Sequence, residues 1–484
     1  MTDKKHAPRE QTRRKFIKKT MVGMAAGVGA AALGVGAKET RADPSAGKWF
    51  KQTDVIIIGS GVGGCASAIA ARAAGASVLV LEKAPKLFFG GNSSVAGGNF
   101  YASPPEKFYR ELMEMSRGRS DETAARALAD NAESAVKWLG GAGIDLDWSK
   151  RKGYAVGPKR GRGVMKNFLN VLQDRGIEVL FETKANRLLQ DDNQRIVGVR
   201  AAAKSGLVEI KAAKAVILAT GGYLGNEEMA VRYIGPRATG IVDQGLKHIT
   251  GDGHRMALDA GARLINMGDC RLAPMQPKSK LALNRWYPHG VAVNRECRRF
   301  IDEAESSADP DKMGRALFRQ PDGTGYVILD EKHKTLVSGS AQKRFAGRGG
   351  ELIEADTVEG LAEKLGLNPL ALKQTIEEFN AAVKENTALS LHPPKTGGAV
   401  KLDEPKFYAV EMVNGSTLSF GGVRINSKAQ VVNLEGKSIA GLYAAGILVG
   451  GLFYGKYKGG FGFAAAAAFG RLAGTQAAAE KALS

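Results

Sequence analysis

Three glycines, Gly59, Gly61 and Gly64, stand at the spacing G-x-G-x-x-G, with a further glycine, Gly63, inside it. Glycine at such positions lets a backbone turn approach a pyrophosphate, whose charge is then offset by the amides of a helix N-terminus. Glu82 follows at about the 20-residue distance at which a carboxylate accepts hydrogen bonds from an adenosine ribose. The chemistry these residues suit is dinucleotide binding. The spacing alone is a weak signal, so its neighbours decide. An apolar run over 54–58 reads as a buried strand, 65–74 as an alanine-rich helix, and 77–81 as a second strand ending at Glu82.

Four further glycine-rich segments need elements to carry them. Residues 90–99 (GGNSSVAGGN) are too rich in glycine and small polar residues to be core, and read as a loop whose amides contact a cofactor ring. Residues 215–222 are a strand running into Thr220, Gly221 and Gly222, and 250–253 (TGDG) place Asp252 in a tight turn before a helix. Near the C-terminus a strand and turn end at Gly446, and Gly459, Gly460 and Gly462 lead into a helix expected over 463–474. That helix aims its positive dipole end at a bound ring, where a flavin gains negative charge on reduction; the alternative is a close-packed core helix. So many separate turns call for an extended cofactor, and select FAD over NAD.

The 484 residues, 44% of them hydrophobic, suffice for two or three domains. Lys and Arg outnumber Asp and Glu by 69 to 49, but residues 1–42 hold ten of the bases against three acids, which leaves about +13 for the rest. That balance suits an anionic substrate, an acidic redox partner or a membrane face, or serves solubility alone. No nucleic-acid-binding signature or dense basic run is present beyond the N-terminal segment. Arg13 and Arg14 lie in a twin-arginine pattern, followed by a weakly apolar Gly/Ala stretch and by Ala42 as a cleavage residue. Residues 1–42 are therefore expected to be an export signal, the mature protein periplasmic and without a stable membrane span. Cys65, Cys270 and Cys297 form no Cys-x-x-Cys, which argues against a haem or iron-sulfur cluster in this chain; buried free thiols are expected in preference to a Cys270–Cys297 pair. No metal site is expected.

The order of these motifs, with Gly421-Gly422-Val423, Ala444-Ala445-Gly446 and Phe469-Gly470-Arg471, resembles the fumarate reductase/succinate dehydrogenase flavoprotein superfamily over roughly residues 50–480. Segments 287–294 (YPHGVAVN), 299–303 (RFIDE) and 450–454 (GGLFY) look most like its tricarballylate dehydrogenase branch. The resemblance implies an α/β fold, a Rossmann-like FAD-binding domain of mixed sheet and helices interrupted by an α+β capping domain. Its parts fall at 50–265 and 405–484, with the cap at 266–404. Cofactor contacts are then expected from Gly59, Gly61, Gly63, Gly64, Glu82, Lys83, Gly91, Asn92, Ser93, Gly97, Gly98, Ala185, Thr220, Gly221, Asp252, Gly446, Gly462 and Phe463.

Departures from the superfamily matter for the reaction. Fumarate reductases carry His-Pro-Thr where this chain has Ala273, Pro274 and Met275; their proton-donating arginine corresponds to Pro310, and two further substrate-binding residues to Leu418 and Tyr457. The dicarboxylate clamp is absent, so fumarate reduction is not expected. The histidine that binds FAD covalently in respiratory complexes aligns near Asn92, so non-covalent FAD is expected. Tyr457 resembles the ketone-polarising tyrosine of 3-ketosteroid dehydrogenases. It is an acid/base candidate if its pKa is lowered by Lys456 and Lys458, and otherwise an aromatic packed on the flavin. Tyr287, His289 and Tyr454 are further catalytic candidates. Arg271 and Arg285 either bind a substrate carboxylate or form salt bridges. The expected reaction moves a hydride between flavin N5 and a carbon beside a carboxylate or carbonyl. A separate cytochrome, quinone-linked or iron-sulfur partner would exchange the electrons. A 3-ketosteroid-type dehydrogenase or enone reductase, and a non-catalytic flavin electron carrier, are the alternatives.

Overall fold

The valine, isoleucine and leucine runs flagged in the sequence are buried on both faces, as parallel strands covered by helices must be. In the computed structural model, which describes residues 49–483, Lys51–Ile58 lies between Val78–Leu81 and Gly206–Leu218, parallel to both. The sheet has eight strands. Glu178–Leu180 extends it beyond Val78–Leu81; Ser438–Ala444 and Gln430–Val432 extend it beyond Gly206–Leu218, and the hairpin Lys184–Gln190/Ile196–Ala203 joins antiparallel. The result is the expected α/β fold with a mixed sheet. The export signal read at 1–42 lies outside the described residues.

Helices Val62–Ala73 and Phe461–Ala479 cover this sheet together, and their closeness follows from residue size. Gly470 and Gly474 leave no room for a side chain: a Cβ there would stand 2.7 Å from Gly63 O and 2.3 Å from Ser67 O. Small residues on both helices let the N-terminal turn and the C-terminal segment meet, though some 400 residues separate them in sequence.

A second, six-stranded sheet is mostly antiparallel. Phe407–Ser416 is its centre, pairing with Ala273–Met275, Gly325–Asp330 and Ile353–Ala355, and in parallel with Val242–Asp243; Val291–Asn294 pairs with Gly325–Asp330. The sheet thus draws strands from outside residues 266–404 on both sides. Helices Pro310–Phe318, Gly339–Ala346, Val358–Leu365 and Pro369–Ala382 surround it, with apolar cores of their own. The cysteines are buried free thiols. Among the described residues no helix is long and apolar enough to cross a membrane.

Candidate active site

The first cavity, of about 540 Å³, runs along the C-terminal ends of the parallel strands, where ligands of open α/β sheets bind. Its walls hold every expected cofactor residue except Gly64. Gly64 acts by packing instead: a Cβ there would lie 2.0 Å from Gly59 O, so glycine is what lets the helix sit on the strand. The loop expected at 90–99 contains a helical turn, Asn92–Val95. Asn92 ties it down, donating to Thr417 O (2.9 Å) and accepting from Leu246 N (2.7 Å).

One end of this cavity is rich in charge. Glu82 accepts from Ser60 Oγ (2.5 Å), Ser60 N (3.2 Å) and Ala84 N (2.8 Å), so it also pins the glycine turn to the second strand. Lys83 donates to Asp252 (2.5 Å) and Thr250 Oγ1 (2.7 Å), and Arg255 donates to the other Asp252 oxygen. Burial alone raises the Asp252 carboxyl, but Lys83, Lys184 and Arg255 hold it below the usual carboxylate range. Thr220 Oγ1 is buried on the cavity wall and has no protein partner. An orphaned hydroxyl, glycine walls and a helix N-terminus at Gly61 fit an extended dinucleotide.

At the other end Tyr457 lies between two cavities, lining this one and a second of about 1270 Å³. Its hydroxyl accepts from Gly462 N (3.1 Å), in the first turn of the C-terminal helix, and its own proton has no acceptor among the described residues. Arg271 lines the first cavity with its guanidinium 5.7 Å from the Tyr457 ring. Asp311 lines the second and accepts from Tyr457 N (3.2 Å). Arg271 Nε and Asp311 Oδ1 face each other at 3.9 Å, both buried and without hydrogen-bond partners.

Several sequence expectations are corrected here. Burial raises the pKa of Tyr457, with Gly462 N–H and Arg271 opposing. The lysines expected to lower it are spent elsewhere: Lys456 pairs with Asp309 (2.9 Å) and Lys458 with Glu111 (2.7 Å). Tyr287 lines neither cavity; it is fully buried, donates to Ser306 O (2.9 Å) and is raised by burial. His289 also lines neither, and burial, Lys395 and His333 push its pKa below the usual imidazole value. Arg285 is exposed and outside both. Tyr454 lines the second cavity, with Arg119 5.0 Å from its ring centroid.

Asp311 is the functional candidate that sequence reasoning missed. Burial raises its carboxyl to about 6, Arg271 acting against that shift. Because the folded pKa lies above the unfolded value, the native state binds the proton more tightly. Stability is then fully present below about pH 4 and declines as pH rises to about 6. Asp311→Asn should flatten that decline by about 2–3 kcal/mol, read as the difference between variant and wild-type urea stabilities at pH 4 and 7. Identical slopes would show that folding leaves the Asp311 pKa at its ordinary value.

The fold and this cavity define the class, an FAD-dependent oxidoreductase. Residues 54–462 match the FAD binding domain family, and the chain belongs to it. It is 31% identical over 461 residues to the NADH:fumarate oxidoreductase of Klebsiella pneumoniae (strain 342), a match covering 88% of this chain but 48% of that protein. It is 30% identical to a probable fumarate reductase of Shewanella frigidimarina (strain NCIMB 400), covering 88% and 75%. Among solved structures, the open conformation of a flavocytochrome c3 fumarate reductase superposes with a TM-score of 0.74 at 27% identity, over 98% of this chain and 82% of that one. The chain is thus a member of the fumarate reductase/succinate dehydrogenase flavoprotein superfamily, its cofactor is FAD, and its class acts on CH–CH and C=C bonds.

Proposed function

We propose that the chain is an exported, periplasmic oxidoreductase that reduces an activated C=C, or desaturates the corresponding C–C bond, next to a carboxylate. It is closer in kind to a tricarballylate dehydrogenase than to a fumarate reductase. The observation that carries this reading is the placing of Arg271 and Tyr457 together at one end of the cavity whose other end suits a dinucleotide. Bound FAD, held non-covalently by the glycine turns, supplies hydride exchange with the reacting carbon. Arg271 holds the carboxylate and stabilises the charge that develops on it. The Tyr457 hydroxyl exchanges the proton at the neighbouring carbon. Positions 273, 310 and 418 offer Ala, Pro and Leu, so a compact dicarboxylate lacks a second clamp there. Residues 266–404 act as the cap, and a separate cytochrome, quinone-linked or iron-sulfur protein exchanges electrons.

Anaerobic flavin spectroscopy tests this. Purified mature protein, reduced with dithionite, is mixed in turn with acrylate, fumarate, cis-aconitate, longer unsaturated acids and a steroid enone. Reoxidation by an unsaturated acid is expected. Reoxidation by the enone alone would replace the acid by a ketone, and none by any compound would leave an electron carrier.

A further inference from the structure

Charge is unevenly spread along the first cavity. Its acids, Glu82 and Asp252, both lie at the Lys83 end and are already held by protein donors. Toward the second sheet the ionised side chains on the walls are cationic: Arg271, Lys280, Arg344 and Arg348. Lys280, Arg344 and Arg348 form no ion pair among the described residues. Glu351 is taken by Lys278 (2.6 Å), and Asp243, which feels Lys280, is raised by burial and accepts from Gly245 N (2.8 Å). The diphosphate of FAD belongs with the glycine turn and helix N-terminus. An excess of positive charge is left at the cap end.

The segment that carries the two arginines is anchored at Phe345. Phe345 is buried and packs on Trp286 with ring centroids 4.7 Å apart, fixing helix Gly339–Ala346 against the second sheet. Arg344 and Arg348, four apart, both reach the cavity wall. Arg344, in the last turn of that helix, and Arg348, two residues past its end, bring like charges to one cavity wall, so an anion between them removes a repulsion that solvent only partly screens.

We propose that Lys280, Arg344 and Arg348 form a subsite for a second anionic group, at the far end of an elongated substrate whose unsaturated carboxylate end sits at Arg271. The substrate class is an α,β-unsaturated acid with a terminal carboxylate several carbons from the double bond. This rests on the proposed function for the Arg271 end only. On this reading a compact diacid engages Arg271 alone, whereas a longer one gains a charge-assisted contact its monoacid counterpart lacks.

The test compares trans-2-octenedioate with trans-2-octenoate on the holoenzyme, with reduced methyl viologen as donor. The diacid should show a KM lower by about tenfold or more. The double variant Arg344→Ala/Arg348→Ala should abolish that preference, and Arg344→Lys/Arg348→Lys should restore part of it. Octanedioate, which is saturated and cannot reoxidise a reduced flavin, gives a second readout: its Kd from difference spectra of the anaerobically reduced flavin should rise about tenfold in the alanine variant and with added salt. Equal constants for diacid and monoacid, or a preference that survives the double alanine change, would overturn the subsite. If neither acid turns over, the proposed reaction fails while octanedioate binding still decides the subsite. Should the variant slow only reduction by an acidic protein donor, these cations dock that donor and the subsite is refuted.

Discussion

Tyr457→Phe should lower turnover by about 10²- to 10⁴-fold, the range of a lost general acid or base, while the protein keeps its FAD. The change removes one oxygen. The ring contacts with Phe420 and Phe453 remain, and the cofactor end of the cavity is untouched. Burial holds the tyrosine pKa above its ordinary value, so at neutral pH the hydroxyl carries its proton and can deliver it to a carbon beside a carboxylate. The tyrosinate left behind is met by Gly462 N–H and by the positive charge of Arg271. Reduction should therefore proceed at neutral pH with the residue already in its acid form. Desaturation requires the ionised form and should speed up as pH rises toward the tyrosine range. Steady-state rates of both directions against pH, in wild type and variant, check this. A variant that keeps the wild-type rate would reduce Tyr457 to an aromatic packed beside the cofactor.

The cofactor end was legible in the sequence because its constraints are local. Gly59 has φ +103° and Gly446 φ +73°, where L side chains are strained, and glycine at each is a chemical statement readable without a fold. The strand–turn–helix order around residues 54–74 likewise follows from apolar runs and small residues. The reacting end was less legible because its geometry is made by distant pairings. Tyr457 N meets Asp311 across 146 positions, and the helix that carries Asp311 is placed by packing against strand Ala273–Met275. Sequence neighbours misled at the same point. Lys456 and Lys458 flank Tyr457 in the chain, yet reach Asp309 and Glu111. Tyr287 and Arg285 look equally chemical in a list of residues. Burial in the second sheet's core separates one, and exposure the other, from both cavities. The place of Arg344 and Arg348 on the cavity wall had no sequence signal, since a basic residue late in a helix, as Arg344 is, or just past its end, as Arg348 is, is ordinarily explained by the helix dipole.

Gly64→Ala should yield a protein with little or no FAD and a lower melting temperature, although Gly64 does not line the cavity. The added methyl would lie 2.0 Å from Gly59 O and 3.0 Å from Gly59 C, both backbone atoms. Gly59 cannot yield: a Cβ built on it would stand 2.4 Å from Ala219 O, so strands Lys51–Ile58 and Gly206–Leu218 are already in contact at that turn. Helix Val62–Ala73 cannot move away either, because the Cβ position of Gly63 is 2.8 Å from Gly446 N, and Gly470 and Gly474 press the C-terminal helix onto its other turns. Overpacking such a junction costs about 1–3 kcal/mol or more. Whatever shift relieves it also moves the amides at Gly61 and Val62 out of position for a diphosphate. Gly140→Ala is the control with the opposite sign. Gly140 lies within helix Glu122–Gly141 with nothing near its Cβ position, so alanine there should stabilise by up to about 1 kcal/mol and leave FAD content unchanged. Flavin-to-protein absorbance ratios and thermal melts of both variants distinguish the cases. Full FAD occupancy in Gly64→Ala would mean that the turn tolerates displacement, and that the closeness of its two helices is not what holds the cofactor.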